Sequence, residues 1–306
     1  MGKIAFVFAG QGAQHSGMGL ELSRHSAAAK AVYAAADRLR PGTSEQCFFG
    51  SDEMLQKTEN TQPCLYCVDV ASACALREAG IVPDMAAGFS LGELAALTFA
   101  GAFSIEDGFA LVCQRGKLMQ QAAEMTDAAM TAVLKLSDET VIRLCSQFAQ
   151  VYPVNFNSQG QVVVSGRQDD LALLKEAVKA EKGRTMDLKV GGGFHSPFMA
   201  SAAEKFAEEL KNYVFSPLSI PVYANKTAQP YPAEGKELLA SQIQSPVLWK
   251  DTVLRMIADG ADTFIEVGAG NTLAGLIRRI SKDVRVYSVE TPEQFQTVTA
   301  EVQANA

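Results

Sequence analysis

The segment Gly88-Phe89-Ser90-Leu91-Gly92 limits the fold more than any other stretch of the chain. A short apolar run, Met85–Phe89, leads into it, and a helical pattern begins at about Gly92. Glycines on both sides of Ser90 permit a turn too tight for side chains, so a buried strand passes directly into a helix. Such a connection belongs to a parallel sheet with helices on its faces. Lys3–Phe8 is another continuous apolar run, as in strands buried on both faces, and it breaks at Gly10-Gln11-Gly12. Helical patterns over Ser23–Arg38 and Thr61–Glu78 lie between the two strands.

The rhythm changes near Ala128. Ala128–Leu136 reads as a strand, Ser137–Ala149 as a helix, and Val151–Asn155 and Gln161–Ser165 as strands across the turn Ser158-Gln159-Gly160. Gln168–Glu181 reads as a helix and Arg184–Val190 as a strand. The order βαββαβ is that of a ferredoxin-like unit, whose ends lie close together and suit insertion. The expected architecture is α/β: a hydrolase-like parallel-sheet core of residues 1–126 and 196–306, with a ferredoxin-like subdomain, 127–195, inserted. After Gly191-Gly192-Gly193, Ser196-Pro197 reads as a capped helix start. Pro221–Ala224 and Thr263–Val267 read as strands, Val247–Ala258 as a helix, and the polar tail after Glu290 as peripheral.

With 306 residues, 48% of them hydrophobic, the chain can bury a full-sized core. Its formal net charge of -7 speaks against a nucleic-acid binder, which needs a basic field to release counterions. Among the six cysteines, Cys64 and Cys67 form a CxxC that could be a redox pair or half a zinc site. No second pair completes a metal set, and the surrounding apolar helix favours buried, structural thiols; no metal is expected. Met85–Ile105 is long enough to span a membrane, but Ser90, Glu93 and three glycines interrupt it. No secretory leader is apparent, and a cytoplasmic chain without membrane contact is expected.

Gly-x-Ser-x-Gly between a strand and a helix places a serine hydroxyl where backbone N–H groups favour an oxyanion. Its bland counterpart is a helix-capping serine in a Gly-rich turn. A nucleophilic Ser90 needs a base, and the chain has three histidines. His25 falls in a helical pattern on a solvated face, and His15 lies in the loop after the first strand. His195 follows the nucleophile in chain order and precedes Ser196-Pro197, whose helix start would hold the ring neutral. Leu91, directly after the nucleophile, and the Gly10-Gln11-Gly12 loop are the expected oxyanion donors. That loop fails as a dinucleotide fingerprint at its third glycine, where His15 stands. Arg115 falls on the apolar stripe of a helix that starts at Ser104, whereas Lys117 faces water. A guanidinium buried there needs an anion, either an internal carboxylate or that of a substrate.

Together these residues resemble the malonyl-CoA:acyl-carrier-protein transacylases of fatty-acid and polyketide synthesis. The similarity rests on Phe8-Ala9-Gly10-Gln11-Gly12-Ala13-Gln14, Asn60-Thr61-Gln62-Pro63, Gly88–Glu93, Arg115–Gln120 and Asn155-Phe156-Asn157-Ser158 with Gln161-Val162-Val163. It continues in Phe194-His195-Ser196, Gln242 with Ser245-Pro246-Val247, and Glu266–Gly270, reaching to about Glu290. The resemblance implies a ping-pong reaction. Ser90, deprotonated by His195, takes malonyl from malonyl-CoA, and the phosphopantetheine thiol of acyl carrier protein removes it. Coenzyme A thioester is then a substrate, no cofactor is implied, and a monomer is expected. By the same similarity Gln11 and Leu91 form the oxyanion hole, Arg115 holds the malonyl carboxylate, and the backbone carbonyl near Gln242 orients His195. Met119, Met130, Asn155, Asn157 and Phe194 would lie about the acyl group, the Phe194 ring crowding any substrate methyl. The family usually has histidine before the nucleophile; Phe89 stands there instead, a change expected to alter polarity beside the ester or the rate of hydrolysis. An acyl hydrolase or editing thioesterase using the same dyad is the alternative, and a non-catalytic docking component a more distant one.

Overall fold

The computed structural model describes residues 2–304. Nine strands form two sheets among these residues. The strands are β1 (Lys3–Phe8), β2 (Met85–Gly88), β3 (Ala128–Leu134), β4 (Val151–Ser158), β5 (Gln161–Arg167), β6 (Arg184–Asp187), β7 (Val222–Tyr223), β8 (Ala261–Val267) and β9 (Arg285–Val289). The larger sheet has the order β7-β2-β1-β8-β9 with every pairing parallel. Its central strands are buried on both faces, as the continuous apolar runs require. The helix Thr58–Glu78 lies against it and is buried at every position from Thr61 to Leu76. A helix buried on all sides has little amphipathic period, so its thiols Cys64, Cys67 and Cys74 are free and serve as small apolar groups.

The smaller sheet, β4-β5-β3-β6, is antiparallel throughout and draws its strands from residues 128–187. The helices Asp138–Cys145 and Gln168–Ala180 pack on it around Val141, Leu144, Leu171, Leu174 and Val178. This is the ferredoxin-like arrangement, with β3 and β5 at the centre. One bridge, Asn155 to Val247, links its outer strand to the loop before the helix Trp249–Ala258.

Three sequence expectations need correction. The pattern over Ser23–Arg38 is two helices, Leu20–His25 and Ala27–Leu39, divided at Ser26, whose hydroxyl caps the second by accepting from Ala29 N. Ser196-Pro197 opens only a three-residue 3-10 turn, Pro197–Met199, ahead of the helix Ala200–Leu210. Ser196 stands at the N-cap of this helical start with Pro197 in its first turn, as expected, but its hydroxyl donates to the Gly193 carbonyl instead of accepting from a helix amide. The tail is not wholly peripheral: helix Pro292–Ala304 places Val298 and Val302 in the main core, beside β9, a strand with no strong sequence pattern. Among the described residues no helix is long and apolar enough to cross a membrane.

Candidate active site

The ends of β1, β2, β7 and β8 converge on one edge of the parallel sheet, where open α/β sheets place their ligands. There the turn after β2 holds Ser90 at φ 56° and ψ -107°, a conformation that costs a non-glycine residue about 1–3 kcal/mol. The flanking glycines explain how the turn closes. A Cβ on Gly88 would fall 1.9 Å from the Gly92 carbonyl, and one on Gly92 would fall 2.3 Å from Phe8 O. Asn225, just beyond β7, braces the turn from both sides. Its Oδ1 accepts from Ser90 N at 2.7 Å, and its Nδ2 donates to Gly88 O at 2.6 Å. Leu91, the first residue of the helix Leu91–Phe99, has no intrahelical acceptor for its amide.

The loop between β6 and the Pro197 turn brings His195 to this serine. Its Nε2 lies 2.7 Å from Ser90 Oγ, and its Nδ1 lies 3.1 Å from the Gln242 carbonyl. A carbonyl can only accept, so the proton sits on Nδ1 and Nε2 is left to accept from the serine hydroxyl. The ring is buried, and its pKa is depressed to about 4, first by desolvation and then by the neighbouring Arg115 charge. Burial and a neighbouring cation thus hold the ring neutral.

Arg115, on the helix Ile105–Glu124, is 1% exposed. Its Nη1 donates to Gln62 Oε1 at 2.7 Å; its Nη2 donates to Gln242 Oε1 at 2.8 Å and to Ser90 Oγ at 3.2 Å. All three partners are neutral, and Nε has none. Among the described residues no carboxylate forms an ion pair with it. Glu93 is near enough to oppose the desolvation that lowers Arg115 to about 10, but its oxygens take the Tyr231 hydroxyl and Asn225 N instead. Burial raises Glu93 to about 7. The guanidinium is therefore held in place by amides while its charge lacks a contacting anion, and it points at the nucleophile.

Gln242 ties these parts together. Besides its carbonyl on His195 and its Oε1 on Arg115, its Nε2 donates to Ser90 O at 2.8 Å. The family resemblance implies only the carbonyl of Gln242, and it implies no role for Gln62 or Asn225. Gln62 stood within a recognisable motif, whereas Asn225 had no signal beyond its place after a strand.

The other candidates fall into two groups. Gln11, Asn155 and Asn157 line a cavity of about 200 Å³ together with Gly10, Phe89, Leu273 and Leu276. The Oδ1 atoms of Asn155 and Asn157 are buried without partners. Met119, Met130 and Phe194 do not line this cavity; they are buried in the main core, where Met119 Sδ accepts from Gln62 Nε2. The remaining histidines lie elsewhere: His15 pairs with Glu290, and His25 contacts Glu21 O. No group of three His, Cys, Asp or Glu among the described residues could hold a metal ion.

Residues 5–296 match the family model of the acyl transferase domain, so in class the chain is an acyltransferase. It is 37% identical to the malonyl CoA-acyl carrier protein transacylase of Bacillus subtilis, over 97% of this chain and 96% of that one. It is 39% identical to a polyketide biosynthesis malonyl CoA-acyl carrier protein transacylase of the same species, covering 92% and 98%. The solved transacylase of Clostridium perfringens superposes with a TM-score of 0.95 at 36% identity, covering 99% and 98%. A malonyl-transacylase solved in complex with its type II PKS acyl-carrier protein gives 0.94 at 34%, covering 98% and 99%. The chain belongs to the malonyl-CoA:acyl-carrier-protein transacylase family.

Proposed function

We propose that this protein moves malonyl from malonyl-CoA to the phosphopantetheine thiol of acyl carrier protein through an ester on Ser90. The observation that carries the reading is Arg115: a buried cation without a contacting anion, 3.2 Å from the hydroxyl that would receive the acyl group. A malonyl carboxylate supplies the missing charge, and an acyl chain without one does not. That is also the argument against a hydrolase of neutral acyl groups.

In the first half-reaction His195 Nε2 takes the Ser90 proton as Oγ bonds to the thioester carbonyl carbon. The amides of Leu91 and Gln11 receive the developing oxyanion. The carbon–sulfur bond breaks, and His195 returns the proton to the coenzyme A sulfur. In the second half the carrier thiol gives its proton to His195, its sulfur bonds to the ester carbon, and Oγ leaves as the serine hydroxyl. The Gln242 carbonyl holds the imidazolium in place during both halves, a dyad with no carboxylate on Nδ1.

Initial rates of malonyl transfer to phosphopantetheinylated carrier protein across pH test this. His195 works as a base only when neutral, and its pKa is depressed, so kcat/KM should hold through weak acid and fall only as pH nears about 4. Absence of transfer, or an acid limb centred at the ordinary histidine value of about 6.5, would contradict the reading.

A further inference from the structure

Glu93 is a buried carboxylate that takes no part in the proton transfers at Ser90. It lies in the first turn of the helix Leu91–Phe99, just past the nucleophile, and has no exposed surface. A carboxylate taken out of water is costly unless its oxygens are bonded. Its Oε1 accepts from the Tyr231 hydroxyl, and its Oε2 accepts from Asn225 N at 2.5 Å. The Asn225 carbonyl accepts from Leu248 N at 2.8 Å, so the backbone of Asn225 is held at both its polar groups.

The Asn225 side chain is in turn committed to the nucleophile's turn. Ser90 N can only donate and Gly88 O can only accept, so these two bonds fix the orientation of the amide as well as its place. Gln242 Nε2 lies 3.3 Å from the same Oδ1. Ser90 sits at φ 56°, a strained backbone that persists only where its surroundings hold it. The position of Oγ follows from that backbone, and Oγ must meet both His195 Nε2 and the thioester carbon. A chain of bonds therefore runs from Glu93 through the backbone and side chain of Asn225 to the nucleophile's own amide.

We propose that Glu93 is a positioning residue for the nucleophile: its carboxylate holds Asn225, and Asn225 holds Ser90 in the strained turn from which Oγ meets His195 and the thioester. This rests on the Ser90 ester proposed above. The test separates the reach of the side chain from its charge. Glu93→Gln keeps an oxygen where Asn225 N needs one and turns its amide nitrogen toward the Tyr231 hydroxyl, which can accept. Glu93→Asp keeps the charge and draws the oxygens back by one methylene. Each variant and the parent are mixed rapidly with malonyl-CoA at several concentrations, quenched in acid, and the Ser90 adduct is followed by intact mass. Failure of the parent to load would refute the function itself. If the parent loads, Glu93→Asp should load at least about tenfold more slowly at saturating malonyl-CoA, with the half-saturating concentration within about twofold of the parent's. Glu93→Gln should stay within about threefold of the parent in both. A merely structural role would lower the fraction of protein that loads and leave the rate constant of that fraction unchanged, an outcome that would overturn the proposal. The reverse order, with Glu93→Gln slow and Glu93→Asp fast, would overturn it too, since charge and not the bond to Asn225 would then matter. Should Glu93→Asp fail to fold, Asn225→Ala breaks the same chain of bonds at its far end, with the same fall expected and the same reversal if it is absent.

Discussion

Replacing Ser90 with Ala is expected to lower malonyl transfer by about 10⁴-fold or more, and His195→Ala by a comparable factor. The double variant should be scarcely worse than either single one. The 2.7 Å contact between Nε2 and Oγ makes the two residues one device: a serine without its base is a poor nucleophile, and a base without its serine has nothing to activate. Rates of the three variants against the parent check this, and losses that multiply would show that the residues act separately. The folded state should survive both changes, because the turn is braced through the Ser90 backbone by Asn225 and Gln242.

Arg115→Ala should have the next largest effect, and its value lies in selectivity. Malonyl transfer should fall by about 10²–10³-fold, the scale of leaving one partner of a buried charge pair alone, while acetyl transfer loses far less. Gln62 and Gln242 hold the guanidinium through neutral bonds, so the charge is positioned and yet unspent until a carboxylate arrives. The same substitution removes a positive neighbour from His195, so the acid limb of any residual activity should move upward from about 4. Equal losses for malonyl and acetyl groups, from parallel assays with both thioesters, would refute the clamp.

The parts of this site that were legible in the sequence are those governed by local rules. A strand running into Gly-x-Ser-x-Gly announces an elbow because only glycines fit its flanks, and the 1.9 Å approach at Gly88 is the physical form of that rule. Helical spacing was enough to separate buried Arg115 from exposed Lys117. The βαββαβ order of the smaller sheet followed from period and turn residues. Contacts between distant segments were not legible. Asn225 meets Ser90 across 135 positions and Arg115 meets Gln242 across 127, and no local pattern marks either. The Ser196-Pro197 helix start was legible, whereas the burial of His195 and the Arg115 charge beside it, which depress its pKa, join segments far apart in the chain and were not. Ser26 shows the converse, a cap hidden inside what reads as one continuous helical pattern.

Ser90 should carry the malonyl group transiently, between coenzyme A and the carrier thiol. Protein mixed with malonyl-CoA in the absence of carrier protein, followed by intact mass and peptide mapping, tests it directly. One malonyl adduct is expected, on the peptide containing Ser90, absent from Ser90→Ala and discharged when phosphopantetheinylated carrier protein is added. An unmodified Ser90 in protein that still transfers malonyl, or an adduct on another residue, would contradict it.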